Sequence, residues 1–259
     1  MATYRIESTD YIRIKKAEKT ITLLKNEKFE SFNQDILGLG KIETKSSQIN
    51  ALSVLFDLEG FTNFCKQIDP QLAVPEFLSE FLNWLFEQIR AELVIEKHAT
   101  GYELYSGLPF LSKFMGDGVL FLWDTTNLSD IAIQNIVVSM HNICTDYVKV
   151  FYKQITEKIV SPPAKLRCGI ARGAIYSVGN GNDFVGPCIN MSARLQKLNS
   201  LTFCFSRRGI NPNANEFLMN EFITMKVDIR GIGSNELVCL LKEEYKTLSK
   251  EDKAKFSKP

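Results

Sequence analysis

Two long stretches of helical periodicity, with strand-length apolar runs around them, constrain this chain most. Over residues 72–98 apolar side chains recur at Val74, Phe77, Leu78, Phe81, Leu85, Ile89 and Leu93. This is the spacing of one helix face, and Pro75 suits a first helical turn. Over residues 128–160 the same spacing returns at Ile133, Ile136, Val137, Met140, Ile143, Tyr147 and Val150, with Pro162 and Pro163 placed to stop it. Between and beyond these lie runs of strand length. Residues 51–57 (ALSVLFD) end in an acid, 119–123 follow a Gly-Asp-Gly turn, and 165–171 alternate in polarity. Residues 201–206 and 236–241 form two later runs, and 189–198 has a shorter helical pattern. Strands alternate with helices, but hairpin-like turns lie among them. The pattern predicts an α+β fold with a mixed sheet rather than a purely parallel one.

A chain of 259 residues can bury a full hydrophobic core. Residues 1–49 are charged and mixed, with a helix expected over about 12–32 and a connector at 35–47 carrying Gly38 and Gly40. The expected organisation is an N-terminal helical and connector segment (1–49), a main domain (50–245) and a charged tail (246–259). Thirty-one Lys and Arg nearly cancel thirty Asp and Glu, so no broad positive field exists to hold nucleic acid. No apolar run is long enough to span a bilayer, and residues 1–10 hold no basic-then-apolar secretory pattern. A cytoplasmic protein that binds neither nucleic acid nor membrane is expected. The cysteines at 65, 144, 168, 188, 204 and 239 stand singly, mostly in apolar stretches, as buried reduced thiols do. With only His98 and His141, any metal must be a hard cation held by carboxylates.

Two places concentrate chemistry. Asp57 ends one apolar run, and Asp117 sits in the Gly116-Asp117-Gly118 turn that opens another. Either alone reads as a turn former. On neighbouring strands the pair would make a two-carboxylate site for Mg²⁺ or Mn²⁺, with substrate phosphates completing the octahedron. The second place is DFVGPCINMSARL, residues 183–195, where Asn190 and Arg194 lie four apart on one helix face. Arg can clamp phosphate oxygens with two parallel bonds, and Asn can orient a sugar or a water. A solvated helix face would carry the same two residues. The apolar stripe over 72–98 reads as core or dimer packing, and Arg207-Arg208 as surface.

Taken in order, SVLFDLEGFT, KFMGDGVLFLW, LRCGIARG, DFVGPCINMSARL and IRGIGSNELV resemble the class III nucleotidyl cyclase domain of adenylyl and guanylyl cyclases. The likeness covers roughly residues 48–241; each motif is weak alone and the order carries the signal. It implies a ferredoxin-like domain, a mostly antiparallel sheet with helices packed on it. It implies conversion of a nucleoside triphosphate to a 3′,5′-cyclic monophosphate and pyrophosphate with two Mn²⁺ or Mg²⁺ ions. Asp57, Asp117 and the Leu58 carbonyl are then metal ligands, and Lys113 and Asp183 read the base. Asn190 and Arg194 act in the transition state, at the ribose and the α-phosphate. Arg230 falls where the family often has Lys for the terminal phosphates, and Gly60, Phe61 and Thr62 complete the triphosphate site. The family's site straddles two domains, which implies a head-to-tail homodimer with shared sites.

Lys113 and Asp183 are the residue types this family uses for adenine, but cytosine also offers an exocyclic amine, and the guanine pair of Glu and Cys is absent. Residues 173–183 are shorter than the usual counterpart, and Pro187-Cys188 replaces a small polar pair. KFMGDGVLFLW, GPCINMSARLQKL and FSRRG also resemble bacterial antiphage pyrimidine cyclases, whose cyclic CMP or cyclic UMP activates a separate effector protein. The expectation is a pyrimidine cyclase acting on UTP or CTP. The alternatives are an adenylate cyclase making cyclic AMP and an inactive cyclase-like dimerising module. If the approach to Asp117 is extended, Lys113, four residues earlier, shares its sheet face.

Overall fold

Alternating β-branched residues open the chain as a hairpin. In the computed structural model, which describes residues 4–16, 19–198 and 200–259, β1 (Tyr11–Lys16) pairs antiparallel with β2 (Lys19–Leu24). The helix expected over 12–32 is therefore absent. Ile12, Ile14, Thr20 and Thr22 repeat with period two, and branching at Cβ favours strands over helices. Residues 17 and 18 of that stretch lie outside the described residues. Only a short helix, α1 (Asn26–Glu30), follows. The chain divides into two compact units: Met1–Gln48 with Tyr176–Val185, and Ile49–Ile175 with Gly186–Pro259.

The larger unit is built on one sheet. Its elements in chain order begin with β3 (Gln48–Glu59), α2 (Phe61–Phe64) and α3 (Pro70–Leu93). The exposed hairpin β4 (Val94–His98) and β5 (Gly101–Leu104) comes next, then β6 (Leu111–Phe114) and β7 (Gly118–Asp124). Helix α4 (Asp130–Asp146) runs through a π-helical turn at Tyr147–Phe151 into α5 (Tyr152–Ile155), ahead of β8 (Lys165–Val178). After β9 (Asp183–Val185), which belongs to the smaller unit, come α6 (Pro187–Leu195), β10 (Phe203–Ser206), α7 (Glu216–Glu221), β11 (Phe222–Ile229), β12 (Gly233–Leu241) and β13 (Phe256–Ser257). The strand order is β13-β11-β12-β10-β8-β3-β7-β6. The β10–β8 pair is parallel, whereas β3–β7, β6–β7, β10–β12, β11–β12 and β11–β13 are antiparallel. This is the α+β, mostly antiparallel arrangement that the sequence predicts.

Leu52, Val54, Phe56 and Leu58 of β3 and Val119, Phe121 and Trp123 of β7 form one sheet face. Against it pack Phe77, Phe81, Leu85 and Ile89 of α3 and Ile133, Ile136, Met140 and Ile143 of α4. The opposite face of β3 is covered too, which is why residues 51–58 are all buried and read as one unbroken run. Two helices differ from expectation. The stretch over 72–98 stops at Leu93, because Val94 and Ile95 open β4. The stretch over 128–160 ends at Ile155, before the prolines, and its π turn rotates Phe151 inward while Val150, assigned to the apolar stripe, is 45% exposed. Five cysteines are buried and Cys65 is half-buried; none is bonded to another.

In the smaller unit the last residues of β8 pair antiparallel with β9, Val178 opposite Asp183. Ser177 binds Ser46 and Ser47, and the Asn180 amide donates to the Leu39 carbonyl. Gly38 and Gly40 both have positive φ, as the expected connector requires.

Candidate active site

The site begins with the pleat of β3. Ser53, Leu55 and Asp57 point away from the α3–α4 core, and Asp57 lies opposite Gly118 in the β3–β7 register. A Cβ on Gly118 would collide with the Phe56 carbonyl, so only glycine lets β7 start this close to β3. The Leu58 amide donates to the Asp117 carbonyl at 2.9 Å, which ties the turn to the end of β3 beside Asp57. The second wall is α6, entered through Pro187 at its first turn. The Ser53 and Ser192 hydroxyls meet at 2.7 Å beneath it. Gly169 of β8 lies so near that a Cβ would collide with the Ser192 carbonyl and the Gln196 amide. Held this way, α6 and the turn after it present Asn190, Ala193, Arg194 and Lys197, an i, i+3, i+4, i+7 face. They line one cleft of about 470 Å³ together with Leu55, Asp57, Met115, Asp117, Gly118, Gln196, Gly231 and Ile232.

The carboxylates are electrostatically unequal. The Asp57 side chain is only 7% exposed, and the Lys197 ammonium stands 3.5 Å from its Oδ1. Burial pushes the Asp57 pKa above the ordinary carboxylate value; Lys197 and Arg167 pull it down and Asp117 pushes it further up. Glu59, two residues on, has its charge engaged elsewhere. Arg167 donates to both its oxygens, at 3.0 and 2.9 Å, and Lys165 stands at 3.8 Å. Asp57 and Asp117 fit a hard divalent cation: both are carboxylates, they share the cleft, and among the described residues the buried one is ion-paired with the exposed Lys197 ammonium. A separate trio, Glu96, His98 and Glu103, gathers on the exposed β4–β5 hairpin.

The structure thus brings Asp57, Asp117, Asn190 and Arg194 into one cleft. Leu58 follows Asp57 with its side chain in the core. Lys113 does not line the cleft. It lies on β6 opposite Leu120, itself opposite Leu55, so it shares the Asp57 face of the sheet. The approach to Asp117 is not extended, however. The chain turns at Gly116, with φ of 92°, and the Met115 amide bonds the Gly118 carbonyl. The common face of Lys113 and Asp57 comes from cross-strand register instead. Asp183 belongs to the smaller unit, where its Oδ1 accepts from the Phe184 amide. Arg230 is exposed beside the cleft residue Gly231. Gly60 caps α2, Phe61 packs on Phe64 and Phe77, and Thr62 is exposed; none of the three lines the cleft. Sequence reasoning missed Lys197. Its signal was its place seven residues after Asn190, on the same helical face.

No family model matches the chain, and no curated protein does. Solved structures match with probability 1.00. The adenylyl cyclase CyaB from P. aeruginosa superposes with a TM-score of 0.57 at 14% identity, covering 80% of this chain and 98% of that one. The guanylyl cyclase Cya2 gives 0.57 at 15%, covering 76% and 93%. The catalytic core of a rhodopsin-guanylyl cyclase with converted specificity, in complex with ATPαS, gives 0.52 at 15%, covering 76% and 98%. This chain has the class III cyclase fold. At such identities the likeness is one of fold, and the cleft adds chemistry to it independently. Within the cyclase fold here, the described residues hold no helix long and apolar enough to cross a membrane.

Proposed function

We propose that the chain is a nucleotidyl cyclase, converting a nucleoside triphosphate into a 3′,5′-cyclic monophosphate and pyrophosphate. One observation carries this: the cleft that gathers Asp57 and Asp117 with Asn190 and Arg194. In the reaction a bond forms from the ribose 3′-oxygen to the α-phosphorus while the bond to pyrophosphate breaks. Asp57, Asp117 and the Leu58 carbonyl would hold two Mg²⁺ or Mn²⁺ ions, which supply acidity to the 3′-hydroxyl and positive charge to the triphosphate. Arg194 meets the charge that builds on the α-phosphate, where two parallel N–H bonds act most strongly. Asn190, one helical turn earlier, fixes the ribose so that the 3′-oxygen stays in line. Arg230 and the Gly60-Phe61-Thr62 loop serve the terminal phosphates in this reading.

Lys113 and Asp183 are assigned the base. The motif likeness, to a family whose site straddles two domains, supports a head-to-tail homodimer in which each copy completes the other's site. For the base itself the reading is a pyrimidine, UTP or CTP, giving cyclic UMP or cyclic CMP as a signal to a separate effector. Its support is the motif likeness and the short β8–β9 hairpin, which closes between Val178 and Asp183. An adenylate cyclase is the second reading, favoured by the Lys113 and Asp183 residue types. An inactive module is disfavoured by the four cleft residues being present together.

The test is incubation with ATP, GTP, CTP and UTP in turn with Mn²⁺, products identified by mass spectrometry. A cyclic pyrimidine nucleotide is expected, and Asp57→Ala and Asp117→Ala should each abolish it. Near-normal turnover in either variant sinks the two-metal reading. Cyclic AMP from ATP, with CTP and UTP untouched in competition, overturns the base assignment alone.

A further inference from the structure

Lys197 has no task in the mechanism above, yet it is the cation that Asp57 holds. Its ammonium stands 3.5 Å from the Asp57 Oδ1 within the cleft. The two side chains are unlike in setting: Asp57 is 7% exposed and Lys197 58%. A buried carboxylate needs a nearby positive charge, and among the described residues this ammonium is its ion-pair partner. A divalent ion at Asp57 would meet the same need. The two cations compete, because a +1 and a +2 charge repel when both crowd one carboxylate. Lys197 can yield. Its stem is flexible and mostly in water, so leaving costs little. The helix behind it cannot shift as readily, since α6 is pinned at Ser53–Ser192 and against Gly169.

We infer that Lys197 is a resident counter-cation of Asp57 that a divalent metal must displace, so that it sets the metal concentration at which the site loads. The inference rests on the reading of Asp57 as a metal ligand and deepens it. The lysine keeps the unloaded cleft balanced and raises the threshold for ion entry. It is a regulating residue rather than a catalytic one.

The test is Mn²⁺ binding to the full chain without nucleotide, followed by electron paramagnetic resonance of free Mn²⁺. Lys197→Met is expected to bind Mn²⁺ roughly two- to five-fold more tightly than wild type, the range set by an exposed ion pair. The gap should narrow in high salt, where the competing charge is screened. Lys197→Arg, which keeps the charge, should stay near wild type. Because Lys197 is exposed, these variants should fold; circular dichroism verifies it. Equal or weaker Mn²⁺ binding by Lys197→Met overturns the inference. Asp57→Asn separates the two failures. If it abolishes binding while Lys197→Met changes nothing, only the inference falls. If it leaves binding intact, the metal-ligand reading falls and the inference with it.

Discussion

Asp57 is buried in a cleft whose proposed use requires it to be charged, and these demands conflict. Its pKa is raised from the ordinary 3.8, with burial as the largest cause. A carboxylate raised on folding adds stability below its unfolded pKa and loses that stability as pH rises through the folded value. At neutral pH the ionised group therefore costs stability, offset in part by Lys197. Without metal, Asp57→Asn is expected to melt roughly 2–4 °C above wild type at pH 7, the shift that about 1 kcal/mol brings in a domain of this size. The gap should close below about pH 4, where wild type is protonated as well. Calorimetry with a chelator present checks both points, and a lower-melting variant at pH 7 would mean that the Lys197 pairing outweighs burial. Asp57, Asp117, Asn190 and Arg194 each belong to a local pattern (an acid closing an apolar run, a glycine turn, a helix face), but each pattern is weak alone, and the order of the motifs singled these residues out; the structure sets them round one cleft. Lys197 belongs to none of those motifs: its place on the Asn190 helix face was visible, but its meaning lies in a contact with a residue far away along the chain.

At the scale of elements, α6 depends on the close approach that Gly169 allows. Gly169→Ala places a methyl against the Ser192 carbonyl and Gln196 amide, which are backbone and cannot swing aside. The expected cost is about 1–3 kcal/mol, as for other overpacked sites. The expected functional effect is loss of activity, because Arg194 and Asn190 move with the helix. Chemical denaturation and turnover measured together test this; a stable, fully active variant would show that α6 does not need its present seat. The long helices were readable from period alone, but their ends were not. Val94 and Ile95 continue an apolar stretch while changing its period, and no proline or glycine marks the junction. The π turn was equally invisible in the sequence. It is set by aromatic packing of Tyr147 and Phe151 on Phe81 and Trp84. The N-terminal hairpin was misread because Lys and Arg interleave its β-branched residues, and a charged strand resembles a charged helix.

The whole molecule sets how many copies make a site. One chain's cleft already holds both Asp57 and Arg194. If in the dimer each Arg194 instead serves the partner's Asp57, as the cyclase likeness implies, mixing Asp57→Ala with Arg194→Ala should rescue activity to about a quarter of wild type, since half the dimers are mixed and each holds one intact site. No rescue after verified subunit exchange would place the site within one chain. The fold was legible through five motifs in order, although the strand order β10-β8-β3-β7 joins segments that sequence alone cannot pair. The lining of the cleft has a consequence for traffic into it. Its charged residues are two acids, Asp57 and Asp117, and two bases, Arg194 and Lys197, on a chain whose formal net charge is +1. Such a surface exerts little long-range pull on a polyanion. Capture of a nucleotide free of metal is then left to random collision, and its rate should hardly change with ionic strength. A cation arriving with the phosphates would turn that flat approach into an attractive one at the two acids. The species that enters fastest is therefore the metal–nucleotide complex, and the bare nucleotide is the slow visitor.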